Sequence, residues 1–325
     1  MPETAERDIH ILKYFSSFIS VSQGKVVNVT DPQLAFCPLA AHLYRGLKKS
    51  DRLDKEKVKK EIWKVIEFKI RDFGVFTARR KFFPEETAVP CGASEMLYSA
   101  LKKKAIEAAV LVCDGAGTVI TDRGEIAQGI GARMNSLLLT SPITAVMGRL
   151  ERSGCRVVFR SALIDQVEGV REAFRAGHRK VAVTVSGKDS ARLEEMRSLV
   201  PEGGTLVILS LCNTGVSAQE AKKICRHADI VWSCASAKLR KQAPDASILQ
   251  LSKQAPVFIL TGEGMDFLSA YVSEPAVLKE LSRDEQYLLS NEPGGRKLKT
   301  GTMNYYLRRA ELPVLSPKSF FTAGQ

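Results

Sequence analysis

Val110-Leu111-Val112-Cys113-Asp114-Gly115-Ala116-Gly117 is an apolar, β-branched run that stops at a cysteine and breaks into small, turn-forming residues. The same grammar recurs at Leu206-Val207-Ile208-Leu209-Ser210-Leu211-Cys212-Asn213-Thr214-Gly215 and at Ile230-Val231-Trp232-Ser233-Cys234-Ala235-Ser236. A continuous apolar run of this length reads as a strand buried on both faces, and such strands belong to parallel sheets covered by helices. In open sheets of that kind ligands gather beyond the carboxyl ends of the strands. Three thiols placed there can meet in space although they lie far apart in sequence.

Outward from these runs, strand and helix patterns alternate. Thr118–Thr121 follows the first glycine turn, and Arg156–Phe159, Val181–Val185, Thr205–Leu211, Asp229–Trp232, Ala246–Leu251 and Pro256–Leu260 read as further strands. Between them, Asp165 and Glu168 are spaced to cap a helix, as are Ser217 and Glu220. Ser141-Pro142 predicts another helix start, and Ser94 a cap for Glu95–Ala105. Residues from about Leu53 to Phe73 carry Val58, Ile62, Val65, Ile66 and Ile70 at helical spacing with lysines between them, and Gly74 ends the pattern. The expectation is an α/β fold, a mostly parallel sheet flanked by helices, arranged as two α/β halves. Its divisions are an N-terminal helical and loop region (1–108), a first half (109–160), a second half (161–285) and a basic tail (286–325). Asn291–Thr300 reads as an exposed linker within that tail, which is expected to wrap the body or a neighbouring copy, so a homo-oligomer is among the expected partners.

With 325 residues and 45% hydrophobic composition, the chain can bury a large core without disulfides or metal. No apolar run reaches the length of a membrane span or of a secretory leader, and a soluble, cytoplasmic protein with no membrane partner is expected. Seven cysteines in a reducing compartment are then thiols, thiolates or metal ligands. The net charge of +12 lies mostly on predicted helix faces and in the tail, and no nucleic-acid-binding motif accompanies it, so no nucleic acid is expected.

Cys113, Cys212 and Cys234 sit at predicted strand ends, and Cys91 just before a helix, where the dipole would lower a thiol pKa. Cys37 sits in a loop, beside a proline that restricts the backbone. Cys155 and Cys225 are assigned to packing, the ordinary role of a buried cysteine. No Cys-x-x-Cys occurs, which removes zinc ribbons and thioredoxin motifs but not an iron–sulfur site assembled across the sheet. Asp114–Thr118, with Gly115, Gly117 and Thr118, has the composition of an anion nest but lacks the Lys-Ser/Thr of a P-loop; a plain β-turn is the alternative. Arg79, Arg80 and Arg133 could hold a sulfonate, phosphate or carboxylate through their guanidinium forks. Lys188 could reach an anion, and the four histidines are too scattered to form a metal site.

Six stretches, in order, resemble the methanogenesis marker 8 family. They are Phe36-Cys37-Pro38-Leu39, Asp72-Phe73-Gly74, Val112–Ile120, Gln128-Gly129-Ile130-Gly131-Ala132-Arg133-Met134, Ile164–Val170 and Cys234-Ala235-Ser236. The resemblance spans roughly residues 25–265. It implies a sulfur-transfer enzyme of coenzyme M biosynthesis, converting sulfoacetaldehyde to 2-mercaptoethanesulfonate. It further implies a small anionic sulfonate substrate, sulfide or another sulfur donor, an external electron donor and a cysteine-bound cluster, [4Fe-4S], or a persulfide. On that reading Cys37, Cys113 and Cys234 hold the metal, while Cys91, Cys212 and Cys113 carry the catalysis. Arg79, Arg80 and Arg133 clamp the sulfonate, and Gly115, Gly117 and Thr118 let it approach the backbone. Leu211-Cys212-Asn213 departs from the family pattern, in which His-Thr-Thr is usual at this place. The alternative is a non-catalytic metal-binding assembly factor for a nickel or corrinoid methyl-transfer enzyme.

Overall fold

A computed structural model describes residues 8–33, 54–82, 91–134, 136–300 and 303–316. In chain order these form strands β1 (His10–Tyr14), β2 (Ser17–Ser22) and β3 (Lys25–Val29), then helices α1 (Lys55–Phe73) and α2 (Ala93–Lys102). Next come β4 (Ala108–Cys113), β5 (Gly117–Thr121), α3 (Gly124–Gly131), β6 (Ser136–Thr140), α4 (Thr144–Arg152), β7 (Arg156–Val157) and α5 (Gln166–Arg175). The second part runs through β8 (Lys180–Ser186), α6 (Leu193–Ser198), β9 (Thr205–Leu211), α7 (Ala218–His227), β10 (Ile230–Trp232) and α8 (Ala237–Gln242). It closes with β11 (Leu249–Leu251), β12 (Val257–Ile259), α9 (Gly262–Ser269), α10 (Pro275–Lys279), β13 (Tyr287–Ser290), β14 (Arg296–Thr300) and β15 (Met303–Arg309).

Eleven strands form one sheet in the order β14-β15-β13-β11-β12-β10-β9-β8-β4-β5-β7, and four form a second in the order β3-β2-β1-β6. The mixed α/β class expected from the alternation is present, but a mostly parallel sheet is not. Parallel pairing joins β4, β8, β9 and β10 in the centre, and β11 to β13; the other six pairings of the large sheet, and all of the small one, are antiparallel. The reason lies in the connections. A parallel neighbour needs a crossover, whereas β4 and β5 are joined by a short turn that reverses the chain, and only two residues separate the antiparallel β14 and β15.

The tail expectation also changes. Tyr287–Arg309 contributes three strands to the edge of the large sheet, with Leu288, Leu289, Leu298, Tyr305 and Leu307 buried. Alternating apolar positions hidden among lysines and arginines carry this strand pattern, and the charges face outward. Two predicted caps move as well. Gly92 precedes α2, with the Ser94 hydroxyl turned to Glu95, and α4 starts at Thr144 after Ile143.

Helix α1 behaves as its periodicity predicts. Asp54 accepts from the Lys57 N–H, Gly74 closes the last turn at φ 66°, and Val58, Ile62, Ile66 and Ile70 are buried. Burying four such side chains stabilises by roughly 1.5–3 kcal/mol each, more than helix propensity could supply, so packing holds α1 in place. That face meets Leu12, Ile19, Val21, Val26 and Val29 of the small sheet in one apolar cluster. The large sheet has a core on each face. One contains Val110, Val183, Ile208 and Val231; the other contains Leu111, Leu209 and Trp232 together with Cys91, Cys113, Cys155 and Cys234. No helix among the described residues is long and apolar enough to cross a membrane.

Candidate functional site

The four central parallel strands end together, and their carboxyl ends carry Cys113-Asp114-Gly115, Ser186-Gly187-Lys188, Cys212-Asn213-Thr214-Gly215 and Ser233-Cys234-Ala235-Ser236. A buried amide organises the last two. The Asn213 side chain donates to the Ser210 carbonyl at 3.1 Å and to the Trp232 carbonyl at 2.9 Å, while the Ser210 hydroxyl donates to Asn213 Oδ1 at 3.0 Å. It thereby ties the end of β9 to the end of β10. Gly187 makes room for it, since a Cβ there would lie 2.2 Å from Asn213 Oδ1. Thr214 Oγ1 accepts from the Ala235 N–H at 3.3 Å, so the Cys212 and Cys234 loops lie against each other.

Cys212 and Cys234 both have left-handed backbone, at φ 54° and 51°, and so does Cys91 at φ 54°. This conformation costs an L-residue with a Cβ roughly 1–2 kcal/mol, and cysteine is not among the types that favour it. Three of the four described candidate thiols sharing it is a coherent feature, because sparsely populated backbone states concentrate at functional sites. The fourth, Cys113, ends β4 opposite Gly117 in the hairpin register.

Burial separates these thiols. Cys91, Cys113 and Cys234 lie in one apolar cluster, and only Cys212 is half-exposed. For Cys91 the expected helix-dipole activation is overturned: burial pushes its thiol up to about 11, outweighing a hydrogen bond with Tyr305. The Cys91 carbonyl accepts from Trp232 Nε1 at 3.0 Å, which holds this segment against the end of β10. Cys113 is likewise driven well above the ordinary thiol value, chiefly by burial and then by the Asp114 charge beside it. Cys155 is buried and Cys225 half-buried within α7, as packing residues. Cys37 lies outside the described residues.

The arginines divide in the same way. Arg80 is fully buried, with Nε donating to Asp114 Oδ1 at 2.8 Å and the remaining nitrogens to the carbonyls of Lys81, Gly129 and Ile130. Its guanidinium is spent on the protein's own acceptors, which corrects its reading as a substrate clamp. Arg79 is exposed. Arg133 lies 4.0 Å from the Phe73 ring centroid, and its buried Nε has no hydrogen-bond partner among the described residues. Beside it, Lys69 donates to the Arg133 carbonyl at 3.2 Å, and burial with the charges of Arg133 and Arg80 brings its ammonium down to about 8.

The glycine turn after Cys113 is not an open anion cradle. Gly115 N–H donates to Thr140 Oγ1 at 2.8 Å, Ala116 N–H to the Cys113 carbonyl and Thr118 N–H to the Leu163 carbonyl. A Cβ on Gly117 would lie 2.2 Å from the Ala162 carbonyl oxygen, and one on Gly115 2.9 Å from Ile143. The close approach those glycines allow is therefore by the chain itself. Thr118 Oγ1 accepts from the Asp165 N–H at 2.8 Å and donates to Gln166 Oε1, fixing the start of α5. Asp165 and Ser217–Glu220 are caps, as their spacing predicts.

One residue at this edge has no sequence signal. Lys13, on β1 of the small sheet, reaches across to donate to the Thr214 carbonyl at 3.1 Å. Lys188 donates to the next carbonyl, Gly215, at 3.0 Å. Among the described residues no group of three or more His, Cys, Asp or Glu side chains is placed to hold a metal ion. A cleft of about 380 Å³ lined by Arg171, Phe174, Arg175, Arg179 and Pro201 opens by the amino ends of β8 and β9, away from the thiols.

Residues 10–273 match the family model described as an uncharacterized protein conserved in archaea (DUF2099). The uncharacterized protein MJ0054 of Methanocaldococcus jannaschii is 36% identical over 263 residues, covering 80% of this chain and 89% of that relative. No solved structure matches.

Proposed function

The chain belongs to this archaeal conserved family, DUF2099, and from the strand-end geometry we propose that it is a thiol-dependent sulfur-transfer enzyme with Cys212 as the reacting cysteine. The observation that carries the reading is the left-handed backbone shared by Cys91, Cys212 and Cys234 at the carboxyl edge of the central strands. Cys212 takes the reacting role because it is half-exposed and has cations beside it, while Cys91 and Cys113 are buried and held protonated.

The resemblance to the methanogenesis marker 8 family supplies the proposed substrate, sulfoacetaldehyde, and the product, 2-mercaptoethanesulfonate. The reaction balances as aldehyde plus hydrogen sulfide plus two electrons and two protons giving thiol plus water. The C=O bond is lost, a C–S bond forms, and carbon is reduced by the two electrons of an external donor. With a sulfane-sulfur donor in place of sulfide, Cys212 would carry the incoming sulfur as a persulfide. Its outer sulfur is two electrons more oxidised than sulfide, so the external donor then supplies four electrons and four protons in all, and the Cys212 thiol is regenerated. The buried protonated thiols nearby would line the site.

A [4Fe-4S] cluster would supply electrons when bound, and it needs three or four thiolates in one place. Cys113 ends β4 and Cys234 follows β10, with β8 and β9 between them, so their common place in one apolar core does not make them one ligand set; the proposed third ligand is Cys37. The described residues alone do not complete such a ligand set. The test is thiol formation from sulfoacetaldehyde, polysulfide as the sulfane-sulfur donor and a reductant under anaerobic conditions. Activity should be lost in Cys212→Ser; full activity in that variant would overturn the assignment.

A further inference from the structure

Two lysines from different parts of the chain converge on one turn. Lys13 comes from the small sheet and Lys188 from the segment after β8, and they donate to the consecutive carbonyls of Thr214 and Gly215. This is the turn that Cys212 begins. Lys13 lies close enough for its charge to act on both Cys212 and Lys188; burial and then the Lys188 charge lower its pKa, while Cys212 raises it. Gly215 has φ 82°, the left-handed region that glycine takes without strain, and a Cβ there would make only ordinary contact with Lys13 Nζ at 3.5 Å.

Glu220 of α7 is the carboxylate facing this group, 3.6 Å from Lys188, and it is also committed to capping its own helix through the Ser217 N–H at 2.6 Å. One carboxylate against two ammonium groups leaves a net positive charge beside a half-exposed thiol. Two like charges held together at a partly buried place repel each other, an arrangement that an anion would relieve.

We propose that Lys13 and Lys188 form an oxyanion-binding site beside Cys212, taking the charged end of a small sulfonate, sulfate-like or carboxylate ligand. The site rests on the reading of Cys212 as the reacting thiol and adds to it the groups that would hold the substrate's anionic end. It replaces Arg80, whose donors are consumed inside the protein.

The probe is alkylation of Cys212 by anionic iodoacetate and neutral iodoacetamide, read by peptide mass, with rates divided by those of the unfolded chain. A focused positive site should favour iodoacetate by roughly tenfold in this normalised ratio. Ethanesulfonate should protect Cys212, and added salt should weaken the preference. Lys13→Met and Lys188→Met should each reduce the ratio severalfold, and Lys13→Arg and Lys188→Arg should keep it. A purely structural Lys13 would alter both reagents alike, and Lys188→Met, at a half-exposed position, guards against loss of fold. A wild-type ratio of one, or a ratio unchanged in both Met variants, overturns the proposal. Anion preference without thiol formation from sulfoacetaldehyde would sink the sulfur-transfer reading alone; thiol formation without anion preference would sink the lysine site alone.

Discussion

Arg80 and Asp114 form an ion pair 2.8 Å long with both side chains wholly out of solvent. The carboxylate also accepts from the Phe76 N–H at 2.6 Å, and the guanidinium also satisfies carbonyls at Gly129 and Ile130 of α3. This pair joins the segment after α1, the turn after β4 and the helix that follows β5. Removing one partner strands a buried charge, which costs about 3–5 kcal/mol. Arg80→Met and Asp114→Asn are expected to lower stability by that order in denaturant titration. A change below about 1 kcal/mol in both would show that the pair does not hold these segments together.

Gly187 tests the amide that ties β9 to β10. A methyl group there would collide with Asn213 Oδ1, and Asn213 is fully buried with its amide hydrogen-bonded to both strand ends. Gly187→Ala should destabilise by roughly 1–3 kcal/mol through overpacking. It should also raise the alkylation rate at Cys212, because the loop loses its anchor. Unchanged melting and unchanged alkylation would show that Asn213 does not set the loop.

Much of the centre of the fold is legible in the sequence, since β4, β8, β9 and β10 are continuous apolar runs and α1 has a clean 3.6-residue period. The small sheet is not, apart from Lys25–Val29, whose weak alternation reads as a short strand. Its hairpins turn at Phe15-Ser16 and Gln23-Gly24, all four at positive φ, and the first pair lacks the Asn-Gly or Asp-Gly signature by which such turns are recognised. The strand-end cysteines are readable as a set, but Lys13 is not, because it reaches the Cys212 turn from 201 residues away in sequence. Arg80 misleads for a related reason. An Arg-Arg pair in a donor-rich loop looks solvent-facing, and nothing local shows that Asp114 waits inside for one of them.

The proposed metal ligands make a separate prediction. Anaerobically prepared protein should carry iron and labile sulfide, and both should be lost together in Cys37→Ala and Cys234→Ala. Chelation under reducing conditions should then bleach the protein. A colourless, iron-free chain would remove the cluster and leave the thiol reading standing, since persulfide transfer with an external reductant needs no metal.

Cys91 gives a pH dependence whose sign can be worked out. Its folded thiol ionises near pH 11, against 9.0 for an ordinary thiol, because burial disfavours the thiolate. Below pH 9 both states hold the proton and the contribution to stability is fully present. Between 9 and 11 the unfolded chain releases it while the folded chain keeps it, so stability falls as pH rises, by at most about 2–3 kcal/mol. Cys91→Ala should be less stable at neutral pH, through lost packing, but its stability should fall less steeply from pH 9 to 11. The check is urea unfolding of both proteins at several pH values across that window. Parallel curves would show that the Cys91 thiol ionises as easily inside the protein as outside it.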